Sequence, residues 1–414
     1  MDTTALRGRN VLVVGEYRQT VTVVRSLHRA GMRITFASPD SDSPTRRSRG
    51  VRRWVKLEET TAERFCEQLE ARLRGDPHEF VFLVGESPLR RFLARSATLE
   101  PLAIWVQPSA DAIRTCFDKS ALYGLLARTT VPVLPWAQVT GAEECRASAA
   151  RIGFPLVVKN LDSSATVRGR KALICRGPAE LEEFLAAPGC ERGQQPLVMQ
   201  KFQPGVRHNC HVAAADGRLL AYFQQKVLRT DELDGTGIGT AGISVPPSEW
   251  LKGHCEAIVR ALGYNGIGCI QFLVDEASGT AGLLEFNARM DSTAALPFRL
   301  GFDYPLLAVL IAENRRLGVP APQAVAASYP TGRTYHWLLG DVWAWITAAR
   351  KHELPRAALA RWALDCARLA LTSHHLTFDW RDPLPTLAMY RDQFLRRILD
   401  RLQAARRPRA AAGN

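Results

Sequence analysis

Glu285, Asn287 and Arg289 stand two residues apart in the apolar run GLLEFNARMDS (282–292). Successive side chains of a β-strand point to opposite faces, so a carboxylate, an amide and a guanidinium would share one face, with Leu284 and Phe286 packed behind. Buried polar groups are costly without partners, so that face calls for a polar occupant. The run GIGCIQFLVD (266–275) precedes it across the turn EASGTAG. With the turn centred near Gly279, Gln271 lies opposite Asn287 and Leu273 opposite Glu285, all on one face. Gln271, Glu285 and Asn287 then form an oxygen cluster suited to Mg²⁺, a hard cation often held by one or two carboxylates plus substrate phosphates. A solvated sheet face with incidental polar residues gives the same pattern.

Two lysines weigh on that choice. Lys159 closes the apolar strand FPLVVKN (154–160), and the small-residue loop LDSSATVRGRK follows it. Such loops present backbone N–H groups to phosphates. Lys119 opens a helix in FDKSAL. Each lysine alone reads as a surface residue. Together with the loop and the oxygen cluster they describe a triphosphate held by lysines, amides and metal. GIGTAG (237–242) fits G-x-G-x-x-G but precedes ISVPP rather than a helix, so a dinucleotide site fails its context. Its glycines read as a mobile loop, either a lid over substrate or an ordinary flexible segment. His208 and His211 fall on opposite faces of an extended strand, and no Cys or acid at suitable spacing completes a zinc set with them.

The elements that must position these residues follow from periodicity. Apolar strands at 10–14, 33–38, 80–85 and 102–107 alternate with helical segments, which predicts a parallel, doubly wound sheet. The link VPVLPWAQVT is extended. Hairpins around Asp216-Gly217 and in 266–289 make the middle region α+β and antiparallel. Residues beyond about 331 read as mostly helical, with a disordered tail RRPRAAAGN.

Five segments in this order, DK (118–119), PLVVK (155–159), MQKFQPG (199–205), GIGCIQFLVD (266–275) and LLEFNARMDS (283–292), make the chain similar to the ATP-grasp superfamily of ATP-dependent carboxylate–amine ligases, over roughly residues 10–320. The resemblance implies a Rossmann-like pre-ATP-grasp domain (1–115), an ATP-grasp small lobe (116–195), a large lobe with the metal site (196–325) and a helical, basic C-terminal extension (326–414). It implies that Lys119 and Lys159 contact ATP phosphates, that Val157 and Leu273 enclose the adenine, and that Gln200, Lys201 and Phe202 form the hinge strand. Gln271, Glu285 and Asn287 would ligate Mg²⁺ or Mn²⁺, and Arg289 would bind the carboxylate substrate and its acyl phosphate. Gln271 is neutral where the family usually has an acid, Gln200 replaces a glutamate, and Arg207 and His208 follow the PG turn where an acid for ribose often stands. The alternative these departures keep open is a catalytically degenerate, nucleotide-binding regulatory protein.

Composition sets the bounds. The chain has 414 residues, 46% hydrophobic and 23% charged, enough for two or three packed domains. No apolar window of about 18 residues and no signal-peptide pattern occurs, which predicts a cytoplasmic chain. Its nine cysteines, none as C-x-x-C, read as reduced packing residues. The net charge of +13 is uneven: residues 44–56 carry six basic residues and no acid. That suggests anionic company or simply a solvated basic face, and no nucleic-acid signature accompanies it. Small-molecule carboxylate and amine substrates are the expected partners, with a homodimer common among such relatives. The Trp-rich helix YHWLLGDVWAWITAARK (335–351), in which Val342, Trp343 and Ile346 make one stripe, reads as core packing or as a weak peripheral membrane contact. With the later DPLP segment it also resembles ligase relatives from cell-envelope and polysaccharide settings, implying a sugar-acid or envelope substrate.

Overall fold

The computed structural model describes residues 4–393 apart from 16–17, 59, 162–164, 187–195 and 324–327. Three sheets organise it. The first contains β1 (Asn10–Val14), β2 (Arg33–Ser38), β3 (Val51–Lys56), β4 (Phe80–Leu83) and β5 (Ile104–Trp105), all parallel in the order β3-β2-β1-β4-β5. Both faces of β1 are covered: Val11 and Val13 pack with Val23, Val24 and Leu27, while Leu12 and Val14 pack with Phe65 and Leu69. This is the doubly wound unit the alternation predicts. β3 lies in the basic run 44–56, whose charge hides a strand pattern in VRRWVK. As an edge strand it keeps Arg52 and Arg53 in solvent, where charge also discourages edge-to-edge pairing.

A four-stranded antiparallel sheet follows, β6 (Trp136–Val139), β7 (Leu156–Asn160), β8 (Leu173–Cys175) and β9 (Leu197–Lys201), in the order β6-β9-β7-β8. The expected extended link is thus in part a strand, paired along β9. The third sheet holds β10 (Val206–Ala215), β11 (Arg218–Thr230), β12 (Gly239–Ser244), β13 (Gly266–Asp275), β14 (Thr280–Asn287), β15 (Thr334–His336) and β16 (His374–His375), in the order β14-β13-β10-β11-β12-β15-β16. The C-terminal extension is mostly helical, and it also lends β15 and β16 to this sheet. In its Leu338–Arg350 helix the buried positions are Gly340, Asp341, Ala344 and Ala348, not the Val342–Trp343–Ile346 stripe. Trp345 packs inward and donates to Leu359 O (2.9 Å). The tail from 394 lies outside the described residues. The eight described cysteines are buried, and none is in a disulfide.

The β13–β14 register corrects the sequence expectation. The turn closes between Asp275 and Thr280, so Leu273 faces Gly282 and Phe272 faces Leu283; then a bulge intervenes, and Gln271 faces Glu285 and Cys269 faces Asn287. The extra residue is Leu284, whose carbonyl accepts from the buried Tyr123 hydroxyl (2.6 Å), while Leu283 N donates to Pro132 O (2.9 Å). A bulge sets two residues against one and changes the parity of the strand. Ala281 and Leu283 therefore join Phe272 and Val274 in the core, whereas Glu285 and Asn287, also odd-numbered, face away from it. Leu283 and Phe286 anchor the strand from behind; Leu284 does not, and lines the cleft instead.

The glycine run also differs from the loop expected. Gly239 and Gly242 lie inside β12, under the fully buried Tyr335 of β15. A Cβ at Gly242 would stand 2.3 Å from the Tyr335 ring. Gly242→Ala should therefore destabilise the protein by about 1–3 kcal/mol, the range for overpacked cores. Chemical denaturation checks this, and Tyr335→Leu in the same chain should recover part of the loss.

Candidate functional site

A cavity of about 1130 Å³ opens where the three sheets and the extension meet. The carboxyl ends of β1 and β4 supply Gly15 and Glu86, β7 and β9 supply Val157, Lys159 and Gln200, and β13 and β14 supply Gln271, Leu273, Glu285 and Asn287. Lys119, Lys201, Phe202 and Arg289 complete the lining drawn from the eleven residues singled out in the sequence, so the fold brings all eleven to one cavity. Asp162, Ser163 and Ser164 of the small-residue loop lie outside the described residues.

Each charged group reaches the cavity through ordinary local structure. Asp118 caps the Lys119–Leu126 helix, accepting from the amides of Ser120 and Ala121, and so fixes Lys119 in its first turn with the side chain buried. Lys159 alternates with buried Val158 and Asn160 along β7 and donates from Nζ to Gln200 Oε1 (3.0 Å). Burial, and then the neighbouring Lys119 cation, lower the Lys159 ammonium to about 8, against the pull of Glu285. Gln200 therefore suits its place as an amide: its oxygen accepts from Lys159, and its amide lies within reach of the Tyr123 hydroxyl. Asn287 Nδ2 donates to Glu285 Oε1 (2.7 Å), which fixes the amide flip and turns the Asn287 oxygen the other way. Three side-chain oxygens, from Gln271, Glu285 and Asn287, thus gather on two paired strands facing two lysines. This hard-donor set fits a divalent cation accompanied by phosphates.

At the hinge, Lys201 N donates to Pro135 O (2.8 Å), Phe202 N to Pro155 O (3.1 Å), and Lys201 Nζ to Phe154 O (2.8 Å). These donors are committed within the protein.

Arg289, just past β14, lies 3.7 Å from Glu86 Oε2, and its buried Nε has no partner among the described residues. Sequence reasoning missed Glu86. The available signal was its place after Gly85 at the carboxyl end of a parallel strand, where open α/β sheets bind ligands. It also missed Asn209, Asp291 and Thr293, and the contribution of the extension. Leu354, Ala358, Arg361, Trp362 and Asp365 all line the cavity, from an element whose own sequence carries no motif. Arg229 of β11 anchors this element, with two bonds of 2.7 Å to the Asp341 carboxylate and one of 3.0 Å to Asp365. Asp341 is fully buried and also accepts from His336, Thr240 and Trp362. Burial pushes its carboxyl up, but the His336 and Arg229 hydrogen bonds override it and hold it well below the ordinary range. His208 and His211 do lie on opposite faces of β10, paired with Phe272 and Cys269. His211 meets Cys269 and Asp291, a spatial grouping that sequence spacing concealed.

A family model described as "Carbamoyl-phosphate synthase L chain, ATP binding domain" matches residues 241–319. Over 197 residues the chain is 28% identical to the carbamoyl phosphate synthase large chain of Thermomicrobium roseum, covering 45% of this chain and 17% of that protein. Over 196 residues it is 25% identical to a chloroplastic biotin carboxylase of Populus trichocarpa, covering 45% and 36%. The chain thus spans well under half of these curated relatives. Among solved structures, a biotin carboxylase–β,γ-ATP complex from Campylobacter jejuni aligns with a TM-score of 0.62 at 17% identity, covering 80% of this chain and 75% of that one. An N5-carboxyaminoimidazole synthetase from Staphylococcus aureus with ADP aligns at 0.60 and 16% identity, covering 79% and 81%. These likenesses give the fold. Among the described residues no single helix is long and apolar enough to cross a membrane.

Asp341→Asn removes the charge that pairs Arg229 inside the protein. Urea unfolding at neutral pH should show a loss of about 3–5 kcal/mol, the range for breaking one side of a buried pair. Because the folded carboxyl titrates below its unfolded value of about 3.9, that difference should be complete above this pH and shrink below it.

Proposed function

We propose that this ATP-grasp chain is an ATP- and Mg²⁺- (or Mn²⁺-) dependent carboxylate–amine ligase. The observation that carries the reading is the single cavity in which Lys119 and Lys159 oppose the Glu285–Asn287 pair, with the half-satisfied Arg289 beside them. Lys119 and Lys159 hold the phosphates of ATP, Val157 and Leu273 enclose the adenine, and the Gln200–Phe202 hinge borders it. Gln271, Glu285 and Asn287 hold the metal, which when bound neutralises charge on the transferring phosphoryl group. Arg289 grips the substrate carboxylate, for which its planar fork of donors is suited.

A carboxylate is a poor electrophile. Taking the γ-phosphoryl group of ATP makes it an acyl phosphate and releases ADP. An amine then attacks the acyl carbon: the C–N bond forms, the C–O bond to phosphate breaks, and phosphate leaves with the electron pair while the amine proton passes to water. The protein supplies positioning and charge, and no covalent nucleophile is needed. Soluble acid and amine substrates, a cytoplasmic setting and a homodimer belong to this reading. The division into a pre-ATP-grasp domain (1–115), small lobe (116–195), large lobe (196–325) and extension (326–414) belongs to it too. A sugar-acid or envelope substrate rests on the extension's sequence alone. Gln271 opposite Glu285 favours a second reading, a nucleotide-binding regulator, because one acid holds a metal less firmly than two.

The expected reaction is ADP and phosphate release only when acid, amine and ATP are all present, followed across a panel of acid and amine pairs with mass spectrometry of the product. Lys159→Ala and Glu285→Gln should each lower that turnover by about 100-fold or more. Full turnover in either variant contradicts the assignment, and tight ATP binding with no substrate-stimulated turnover in any pair favours the regulator. Because the Lys159 ammonium in the free protein is lowered to about 8, MgADP affinity should weaken as pH rises through that value. The loss should be about tenfold, the worth of one charge-assisted contact. Glu285→Gln removes an anion that favours the charged lysine, so it should shift this midpoint to lower pH.

A further inference from the structure

Thr293 sits at the centre of a buried polar group past the end of β14. Its hydroxyl meets Asp291 Oδ1, Asn209 Nδ2 (3.3 Å), Gln225 Nε2 and His211 Nε2 (3.3 Å). A hydroxyl has one proton to give. Burial pushes the Asp291 carboxyl up, but His211, charged in acid, together with Thr293 and Arg289 holds it below its ordinary value. An ionised carboxylate only accepts, so the Thr293 proton goes to Asp291. The hydroxyl oxygen is then an acceptor toward both amides, which must present N–H to it. The ring of His211, kept neutral by burial at a value of about 4, accepts at Nε2 from Gln225 (3.0 Å).

These constraints fix the orientation of both amides. Asn209 Oδ1 and Gln225 Oε1 must point away from Thr293. Both are buried, and neither has a partner among the described residues. Gln225 does not border the cavity, but Asn209 does, at 3% exposure, together with Asp291 and Ser292. Asn209 also pairs across β10–β13 with Gln271, and so lies in the sheet row that ends at Glu285. Asn209, Asp291 and Arg289 thus line one end of the cavity, and there Arg289 Nε and Asn209 Oδ1 are buried and without partners among the described residues. The donor suits an anion. The acceptor and carboxylate suit a small cation carrying several N–H groups.

We propose that Asn209 Oδ1 and Asp291 form the binding subsite for the ammonium group of the acceptor amine, next to Arg289, which takes the acid. This assignment rests on the ligase reading for its biological meaning, but the cation-binding claim stands on the geometry alone. A primary ammonium has three donors and can serve both oxygens at once. The subsite selects amines that arrive protonated and gives Thr293 a positioning role, holding Asn209 and Asp291 in register.

Binding of ¹³C-methylammonium to the full-length protein, followed by NMR titration at constant ionic strength, tests it. Asn209→Leu and Asp291→Asn should each weaken methylammonium by about tenfold or more, the loss of one charge-assisted hydrogen bond. Asn209→Asp keeps the oxygen and should bind at least as well as the natural chain, which separates loss of the ligand from loss of the fold. Unchanged affinity in both Asn209→Leu and Asp291→Asn overturns the subsite. Displacement of methylammonium by an equal concentration of potassium chloride also overturns it, in favour of a metal-cation site. MgADP affinity on the same samples keeps the two readings apart. MgADP binding without any methylammonium response sinks the subsite alone, and methylammonium binding without MgADP sinks the nucleotide reading alone.

Discussion

One extra residue in β14 decides which side chains meet the cavity. Up to Leu283 the odd-numbered positions face the core; beyond the bulge at Leu284 they face the cleft. The core keeps Ala281, Leu283 and Phe286 without surrendering Glu285 and Asn287, which a regular strand could not arrange with this sequence. The bulge is held from two sides, by Tyr123 at the Leu284 carbonyl and by Pro132 at the Leu283 amide. Tyr123 belongs to the helix that Lys119 opens. One buried hydroxyl therefore ties the helix that Lys119 opens to the strand that carries Glu285.

Electrostatics follow from that placement. Burial and then the Lys119 cation lower the Lys159 ammonium, and Glu285 restores part of the loss. A buried ammonium lowered in this way gains stability from any anion that enters beside it. The opposite arrangement secures the wall. Around Asp341 four donors, Arg229, His336, Trp362 and Thr240, converge on one carboxylate. That saturated centre pins the Arg356–Thr372 helix against β11, so Trp362 and Asp365 border the cleft as fixed parts of the fold.

How legible this was depended on range. The parallel sheet was readable because apolar strands alternate with helices at short spacing, and Lys159, Gln271, Glu285, Asn287 and Arg289 were readable because their polarity contradicts their apolar neighbours; Lys119 stood out at a helix start, and Val157, Leu273 and Gln200–Phe202 came only from the family resemblance. The register of β13–β14 was not, because a bulge leaves the hydrophobic pattern almost unchanged while moving each pairing. β3 was masked by the arginines that suit an edge. Gly239 and Gly242 looked like a loop because their cause, the ring of Tyr335, lies far along the chain. Asn209, Asp291 and Thr293 went unread for the same reason: their partnership is made across strands, and each is unremarkable in its own segment. Glu86 carried a positional signal that went unused.

In the proposed function, Glu285 and Asn287 face a metal-bound nucleotide between the two lysines. The most direct test is a crystal grown with Mn²⁺ and a non-hydrolysable ATP analogue, with anomalous scattering recorded for manganese. The expected result is a manganese peak within ligand distance of the Glu285 carboxylate and the Asn287 oxygen, with the nucleotide phosphates between that ion and Lys119 and Lys159. A nucleotide bound elsewhere, or one bound in this cleft with manganese away from Glu285, would contradict it.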